Sequence, residues 1–144
     1  MKIGVDTTFL VQVLLREHPG HIAAREEMDR RLAAGDLFVM APQVVSELVH
    51  VVTDPRRFEH PLSMATALEK ARSWWDARET EHVSPTPESM AQFWNWMEAF
   101  NLGRKRLLDT MLAATYFSHG VHTILSSNAR DYTTFGCFLV LSPD

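Results

Sequence analysis

The sequence contains one cysteine, Cys137, among its 144 residues. That excludes an internal disulfide framework and a multi-cysteine zinc site, and it suits a reducing cytoplasm. Its seven histidines form no zinc-ligand pattern with other donors; His18 and His21 flank a Pro-Gly turn and read as solvated. Positive charge is not in surplus. The 14 Lys and Arg against 18 Asp and Glu give a formal net charge of −4, so no global basic field points to nucleic acid. Such a partner would have to be held by a local patch. No apolar run approaches the roughly 20 residues that cross a bilayer. The opening "MKIGVDTTFL" is too short in its apolar part for a signal peptide and carries an aspartate. Repeats, low-complexity tracts and flexible linkers are absent as well. The expectation is a soluble cytoplasmic protein with no membrane association.

What is present is a core. Hydrophobic residues make up 46% of the chain, enough for one globular domain over residues 1–144. "KIGVD" is a short apolar run ending in an acid and reads as a buried strand. "TTFLVQVLLREH" (7–18) follows with helical spacing and stops before Pro19, and "HIAAREEMDRRLAA" (21–34) is a second helix closed by Gly35. "LFVMA" is the next strand, and Pro42 is placed to start the helix "PQVVSELVHVVT" (42–53). A proline-bounded loop, "DPRRFEHPLS", leads to a long helix over 63–79, and "HVS" (82–84) reads as a short third strand. "TPESMAQFWNWMEAFN" opens with Pro87 and Glu88, which suit a first turn. The helix containing Asp109 ends at "SHG", and "VHTILS" and "CFLVLS" read as the last two strands. Strands alternating with helices predict a three-layer α/β/α sandwich around a mostly parallel sheet of about five strands.

The acids then fall into a pattern. In an open parallel sheet, ligands bind beyond the carboxyl ends of the strands. Asp6 ends the first predicted strand, and Glu47 lies in the helix after the second, beside the apolar stripe of Val44, Leu48 and Val52. Asp109 interrupts the apolar run "RLLDTMLAAT", where an unpartnered buried carboxylate would cost several kcal/mol. "SSNARD" follows the fourth strand and brings Asn128 and Asp131 to the same edge. Crowded carboxylates repel unless a cation neutralises them, and Mg²⁺ and Mn²⁺ accept such hard oxygen ligands. An ion held there lowers the pKa of bound water and stabilises charge on a phosphoryl oxygen, which is the apparatus of phosphodiester hydrolysis. Each acid also has a local reading. Asp109 and Asp6 suit helix N-caps, Glu47 a solvated helix flank, and Asp131 an ion pair with Arg130 or a turn start.

"VDTTFL", "VVSELVHVVTDPR" and "LLDTMLAATYFSHGVHTILSSNARDYTTF" together resemble the PIN-domain family, and within it the VapC-type toxins of bacterial toxin–antitoxin pairs. The similarity runs over nearly the whole chain in the family's order. It implies a Mg²⁺- or Mn²⁺-dependent endoribonuclease with the PIN sandwich fold, a homodimer, and a cognate VapB-like antitoxin occupying the cleft. Asp6, Glu47 and Asp109 match the family's three best-defined acidic positions as catalytic and metal-binding residues. Asn128 stands where many PIN domains have an acid and is carried over as a metal ligand; Asp131 matches the nearby second acid as a catalytic residue. Thr8 occupies a position that is often small and polar, where its hydroxyl would support Asp6 or a metal-bound water. A neutral Asn128 keeps open a non-catalytic PIN-like module that binds RNA or protein. A phosphatase of the haloacid-dehalogenase type would need a second acid two residues after Asp6, and Thr8 stands there.

The cationic candidates for RNA backbone are Arg104, Lys105 and Arg106, just before Asp109, ranked ahead of Arg56 and Arg57. Trp74, Trp75, Trp94 and Trp96 lie in predicted helices as core or dimer contacts. Cys137 reads as packing in an apolar strand.

Overall fold

The computed structural model describes residues 1–143. Five strands form one sheet: β1 (Lys2–Val5), β2 (Leu37–Met40), β3 (Thr80–His82), β4 (Thr123–Leu125) and β5 (Leu139–Leu141). Their order is β3-β2-β1-β4-β5, and every pairing is parallel. Parallel neighbours need long crossovers, and the helices supply them. They are α1 (Thr7–Leu14), α2 (His21–Ala33), α3 (Pro42–Val52), α4 (Met64–Trp75), α5 (Pro87–Ala99), α6 (Leu107–Ser118) and the short α7 (Arg130–Thr133). A 3₁₀ turn at Arg104–Arg106 runs directly into α6. Helices α1 to α4 pack on one another, and α5 to α7 on one another. With right-handed crossovers the two groups cover opposite faces of the sheet, giving three layers.

Helices on both faces explain why the central strands carry no polar alternation. Ile3, Val5, Val39, Ile124 and Leu125 are all fully buried. β1 also contains Gly4, and the reason is steric. A Cβ there would lie 2.6 Å from the ring of Tyr116, whose hydroxyl donates to the Val5 carbonyl at 2.7 Å. The absent side chain lets a buried tyrosine of α6 lie flat against the central strand.

Several element boundaries differ from the sequence reading. Helix α1 stops at Leu14, because Leu15 leaves helical geometry with its side chain buried before the chain turns through Pro19 and Gly20. Helix α4 stops at Trp75, since the Phe38 amide donates to the Glu79 carbonyl and draws the following residues into the sheet. β3 therefore begins two residues before the predicted "HVS", and His82 stacks on Trp75 with ring centroids 3.6 Å apart. Helix α7 has no counterpart in the prediction. At α5 the cap is complete. The Thr86 side chain accepts from the Ser89 amide, and the Ser89 side chain accepts from the Thr86 amide. Of the tryptophans, Trp96 is buried among Phe117, Phe135 and Phe138, and Trp94 is exposed. No helix among the described residues is long and apolar enough to cross a membrane.

Candidate active site

The connections leave β1 toward β2 on one side, while β4 lies on its other side, so the sheet's switch point falls between the carboxyl ends of β1 and β4. A cleft of about 750 Å³ opens there. Asp6, Glu47, Asp109 and Asp131 all line it, together with Asn128 and Thr8. Residues from four separate segments thus meet at one place: Asp6 from the end of β1, Glu47 from the second turn of α3, and Asp109 and Asp131 from the first turns of α6 and α7.

Asp6 is 3% exposed and occupies the N-cap position of α1, yet its side chain makes no capping bond. It faces the cleft edge instead. The Ser126 hydroxyl, just past β4, donates to Asp6 Oδ2 at 2.7 Å, and the Thr8 hydroxyl donates to the same oxygen at 3.1 Å. Burial pushes the Asp6 carboxyl up from the ordinary aspartate value, and the Ser126 and Thr8 donors oppose that push. Ser126 Oγ in turn accepts the Asn128 amide at 2.9 Å, and Thr8 Oγ1 accepts the Ser127 amide at 3.3 Å. The loop after β4 is therefore built onto the hydroxyls that hold Asp6.

Glu47 is fixed through both oxygens. Gln43, one turn earlier on α3, donates to Oε1 at 2.8 Å, and the Thr7 hydroxyl donates to Oε2 at 3.3 Å. The same Gln43 amide nitrogen donates to the Leu108 carbonyl at 2.8 Å and so ties α3 to the start of α6. Asp109 is the third residue of α6, whose N-cap is Arg106, so the capping role is not the one it fills. Its carboxyl is raised from 3.8 to about 7. Burial is the main cause, followed by the negative charges of Asp6, Asp131 and Glu47. Asp131 lies in the first turn of α7 and, among the described residues, makes no ion pair with Arg130.

The cationic candidates separate. Arg104 and Lys105 are exposed and do not line the cleft. Arg106 turns inward: its guanidinium donates to the Asp131 carbonyl and lies 5.9 Å from the Phe135 ring centroid. It ties the approach to α6 onto α7. Arg57, ranked lower from the sequence, lines the cleft. Tyr132 also escaped the sequence reading; it is fully buried beside Asp6 and Asp109, and burial together with their charges pushes its hydroxyl well above the ordinary tyrosine value. Of the supporting groups, Gln43 had a readable signal, because a position four residues before Glu47 on a helix is a side-chain neighbour. Ser126 had none beyond its place at a strand end.

The donor set fits a hard divalent cation. The four acids, Asn128 and Thr8 all offer oxygen, His18 and His50 line the same cleft, and none of the four acids has a Lys, Arg or His ion-pair partner among the described residues. Burial first, and then the neighbouring charges of Asp6, Asp131 and Glu47, hold the Asp109 carboxyl above the ordinary aspartate value. Among the described residues, no three Asp, Glu, His or Cys groups close around an ion by themselves. An open arrangement of this kind suits Mg²⁺, which keeps several waters and shares its ligands with substrate phosphate.

The comparisons with known proteins agree with this architecture. A PIN domain model matches residues 3–133, a span that includes all four acids. Ribonuclease VapC24 of Mycobacterium tuberculosis (strain CDC 1551 / Oshkosh) is 27% identical over 141 residues, which cover 98% of this chain and 96% of the relative. Among solved structures, Mycobacterium tuberculosis VapC20, a sarcin-ricin loop cleaving toxin, superposes with a TM-score of 0.72 at 18% identity, covering 96% of this chain and 98% of that one. VapBC-1 from nontypeable Haemophilus influenzae superposes at 0.68 with 14% identity, covering 99% and 98%. At those identities the structural likeness speaks for the fold. The match to the family model over most of the chain, on a parallel sheet with acids gathered at its switch point, shows that this chain belongs to the PIN domain family.

Proposed function

We propose that the chain is a Mg²⁺- or Mn²⁺-dependent endoribonuclease, the VapC-type toxin of a toxin–antitoxin pair. One observation carries the reading: Asp6, Glu47, Asp109 and Asp131 come from four segments and line one cleft at the sheet's switch point. The relative named Ribonuclease VapC24 and the toxin structures of the same fold support it.

In this reading Asp6, Glu47 and Asp109 hold the ion, with Asn128 at its edge and Asp131 beside the reacting groups. The bound ion would supply a water of lowered pKa and stabilise charge on the scissile phosphate. The protein's own part is orientation. Ser126 and Thr8 occupy one oxygen of Asp6, and Gln43 and Thr7 fix Glu47, so both carboxylates are held at the cleft. Arg104 and Lys105, one turn before Asp109, would meet RNA backbone outside the cleft, while Arg106 holds Asp131 in place.

The partners follow from the same reading: RNA as substrate, a VapB-like antitoxin that blocks the acidic cleft with a basic residue, and a second copy of the chain. The test uses purified protein and total RNA. Cleavage should require Mg²⁺ or Mn²⁺, stop in EDTA, and be lost in Asp109→Asn. Undiminished cleavage in chelator would remove the metal mechanism. An adjacent gene should encode a small DNA-binding protein whose co-expression relieves growth arrest, and arrest that no neighbouring gene relieves would count against the toxin assignment alone.

A further inference from the structure

The loop between α3 and α4 is fixed more firmly than its exposure would suggest. Asp54 Oδ1 accepts the Arg56 amide at 2.8 Å, and its Oδ2 lies 3.4 Å from Arg57 Nε. Glu17, beyond the end of α1, reaches over from another part of the chain. Its Oε2 accepts the Glu59 amide at 3.1 Å, and its Oε1 accepts the His60 amide at 2.7 Å. The Leu62 amide then returns to the Val52 carbonyl at 2.8 Å. Ordering backbone costs about 1–2 kcal/mol per residue, and the exposed Arg56, Arg57, Glu59 and His60 bury little surface in return.

What the fixed loop presents is Arg57 and Phe58, both lining the acidic cleft. Among the described residues that line the cleft, Arg57 is the only Lys or Arg. Phe58 is half-buried, and together with the 60% exposed Leu108 of α6 it gives the acidic floor an apolar border. A polyanion approaching four carboxylates needs a cation placed beside them. Single-stranded RNA adds unstacked bases, whose faces pack on aromatic side chains in a sequence-tolerant way.

Building on the ribonuclease reading, we propose that the α3–α4 loop is the substrate-positioning wall of the cleft. Arg57 takes an RNA phosphate, Phe58 takes the face of an unstacked base, and Glu17 is the positioning residue that latches the loop. Replacing Glu17 by Gln turns one acceptor into a donor facing an amide N–H, which opens half of the latch.

The test measures cleavage of a fluorophore- and quencher-labelled single-stranded RNA pool with Mn²⁺. Glu17→Gln and Phe58→Ala should each raise KM by about 5- to 10-fold, in line with the loss of one stacked base, with kcat within about twofold. Phe58→Tyr, which keeps the aromatic face, should retain the parental KM. In a cleavage-deficient Asp6→Asn background, an RNA carrying 2-aminopurine should be quenched on binding, and Phe58→Ala should abolish the quench. Parental KM in both Glu17→Gln and Phe58→Ala, a loss confined to kcat, or a Phe58→Tyr as impaired as Phe58→Ala overturns the proposal. In each case RNA cleavage by the parent leaves the ribonuclease reading standing. If Glu17→Gln fails to fold, the Phe58 pair decides. A parent that cuts no RNA with Mn²⁺ overturns the ribonuclease reading and this proposal together.

Discussion

Asp6 and Ser126 stand at the carboxyl ends of the neighbouring strands β1 and β4, and the Ser126 hydroxyl donates to Asp6 Oδ2 at 2.7 Å. The bond joins the two edges of the sheet's switch point. It also occupies one oxygen of a buried carboxylate with a neutral donor, leaving the charge of Asp6 for the cleft. Ser126→Ala should lower Mn²⁺ affinity and RNA cleavage by about 10- to 100-fold, the usual cost of losing a partner that orients a ligand. Calorimetric titration with Mn²⁺ and initial cleavage rates measure both. Parental values in both would mean that Thr8 alone suffices to orient Asp6.

Gln43 makes a second such support testable. Its side-chain nitrogen donates at 2.8 Å to Glu47 and at 2.8 Å to the Leu108 carbonyl. Gln43→Ala removes both bonds, so the fold should lose about 1–3 kcal/mol, read from urea unfolding. Cleavage should fall further than stability explains, because Glu47 becomes free to rotate while the start of α6, which carries Asp109, loosens. Equal activity per folded molecule would show that Thr7 fixes Glu47 unaided.

A third prediction tests the frame under the site. Gly4→Ala places a Cβ 2.6 Å from the Tyr116 ring, and that ring is fully buried and bonded to the Val5 carbonyl next to Asp6. Overpacking of this kind costs about 1–3 kcal/mol. Thermal unfolding should show the loss, and the displaced Tyr116 should weaken Mn²⁺ binding as β1 shifts. An unchanged melting temperature would mean that the ring moves aside freely.

The site was legible where it depended on element ends and helical register. Asp6 closes an apolar run, Asp109 interrupts one, and Glu47 lies beside a stripe of valines and leucines, so local patterns pointed each to the same edge of the sheet, while their meeting in one cleft is seen only in the structure. The supporting groups depended on contacts between distant segments. Ser126 meets Asp6 across 120 positions, and Arg106 turns away from solvent to the Asp131 carbonyl. Nothing in "RKR" distinguishes the residue that folds inward from the two that stay exposed. The same holds for the α3–α4 loop, whose proline-bounded sequence reads as a simple connection until Glu17 is seen to hold it. β3 was placed late because three half-polar edge residues carry little periodic signal, and pairing with β2 decides where it starts.

The last prediction concerns Asp109 and pH. In the folded, metal-free protein its carboxyl is raised from 3.8 to about 7, by burial first and then by the charges of Asp6, Asp131 and Glu47. Between these two values the native state therefore holds a proton that the unfolded chain has released. Stability from this group is fully present below about 3.8 and is lost as pH rises through about 7. Asp6, raised by burial, acts in the same direction. The metal-free parent should consequently melt at progressively lower temperature from pH 4 to pH 8 as far as these acids govern it. Asp109→Asn removes the titrating charge, so at pH 8 the metal-free variant should melt higher than the parent, and its pH slope should be shallower. Mn²⁺ reverses the order, because an ion that binds only the folded state stabilises the protein that binds it more tightly. Melting curves of both proteins at pH 5 and pH 8, with and without Mn²⁺, give all four comparisons. A variant that melts below the parent at pH 8 without metal, and gains as much from Mn²⁺, would mean that Asp109 stabilises the fold rather than holding charge ready for an ion.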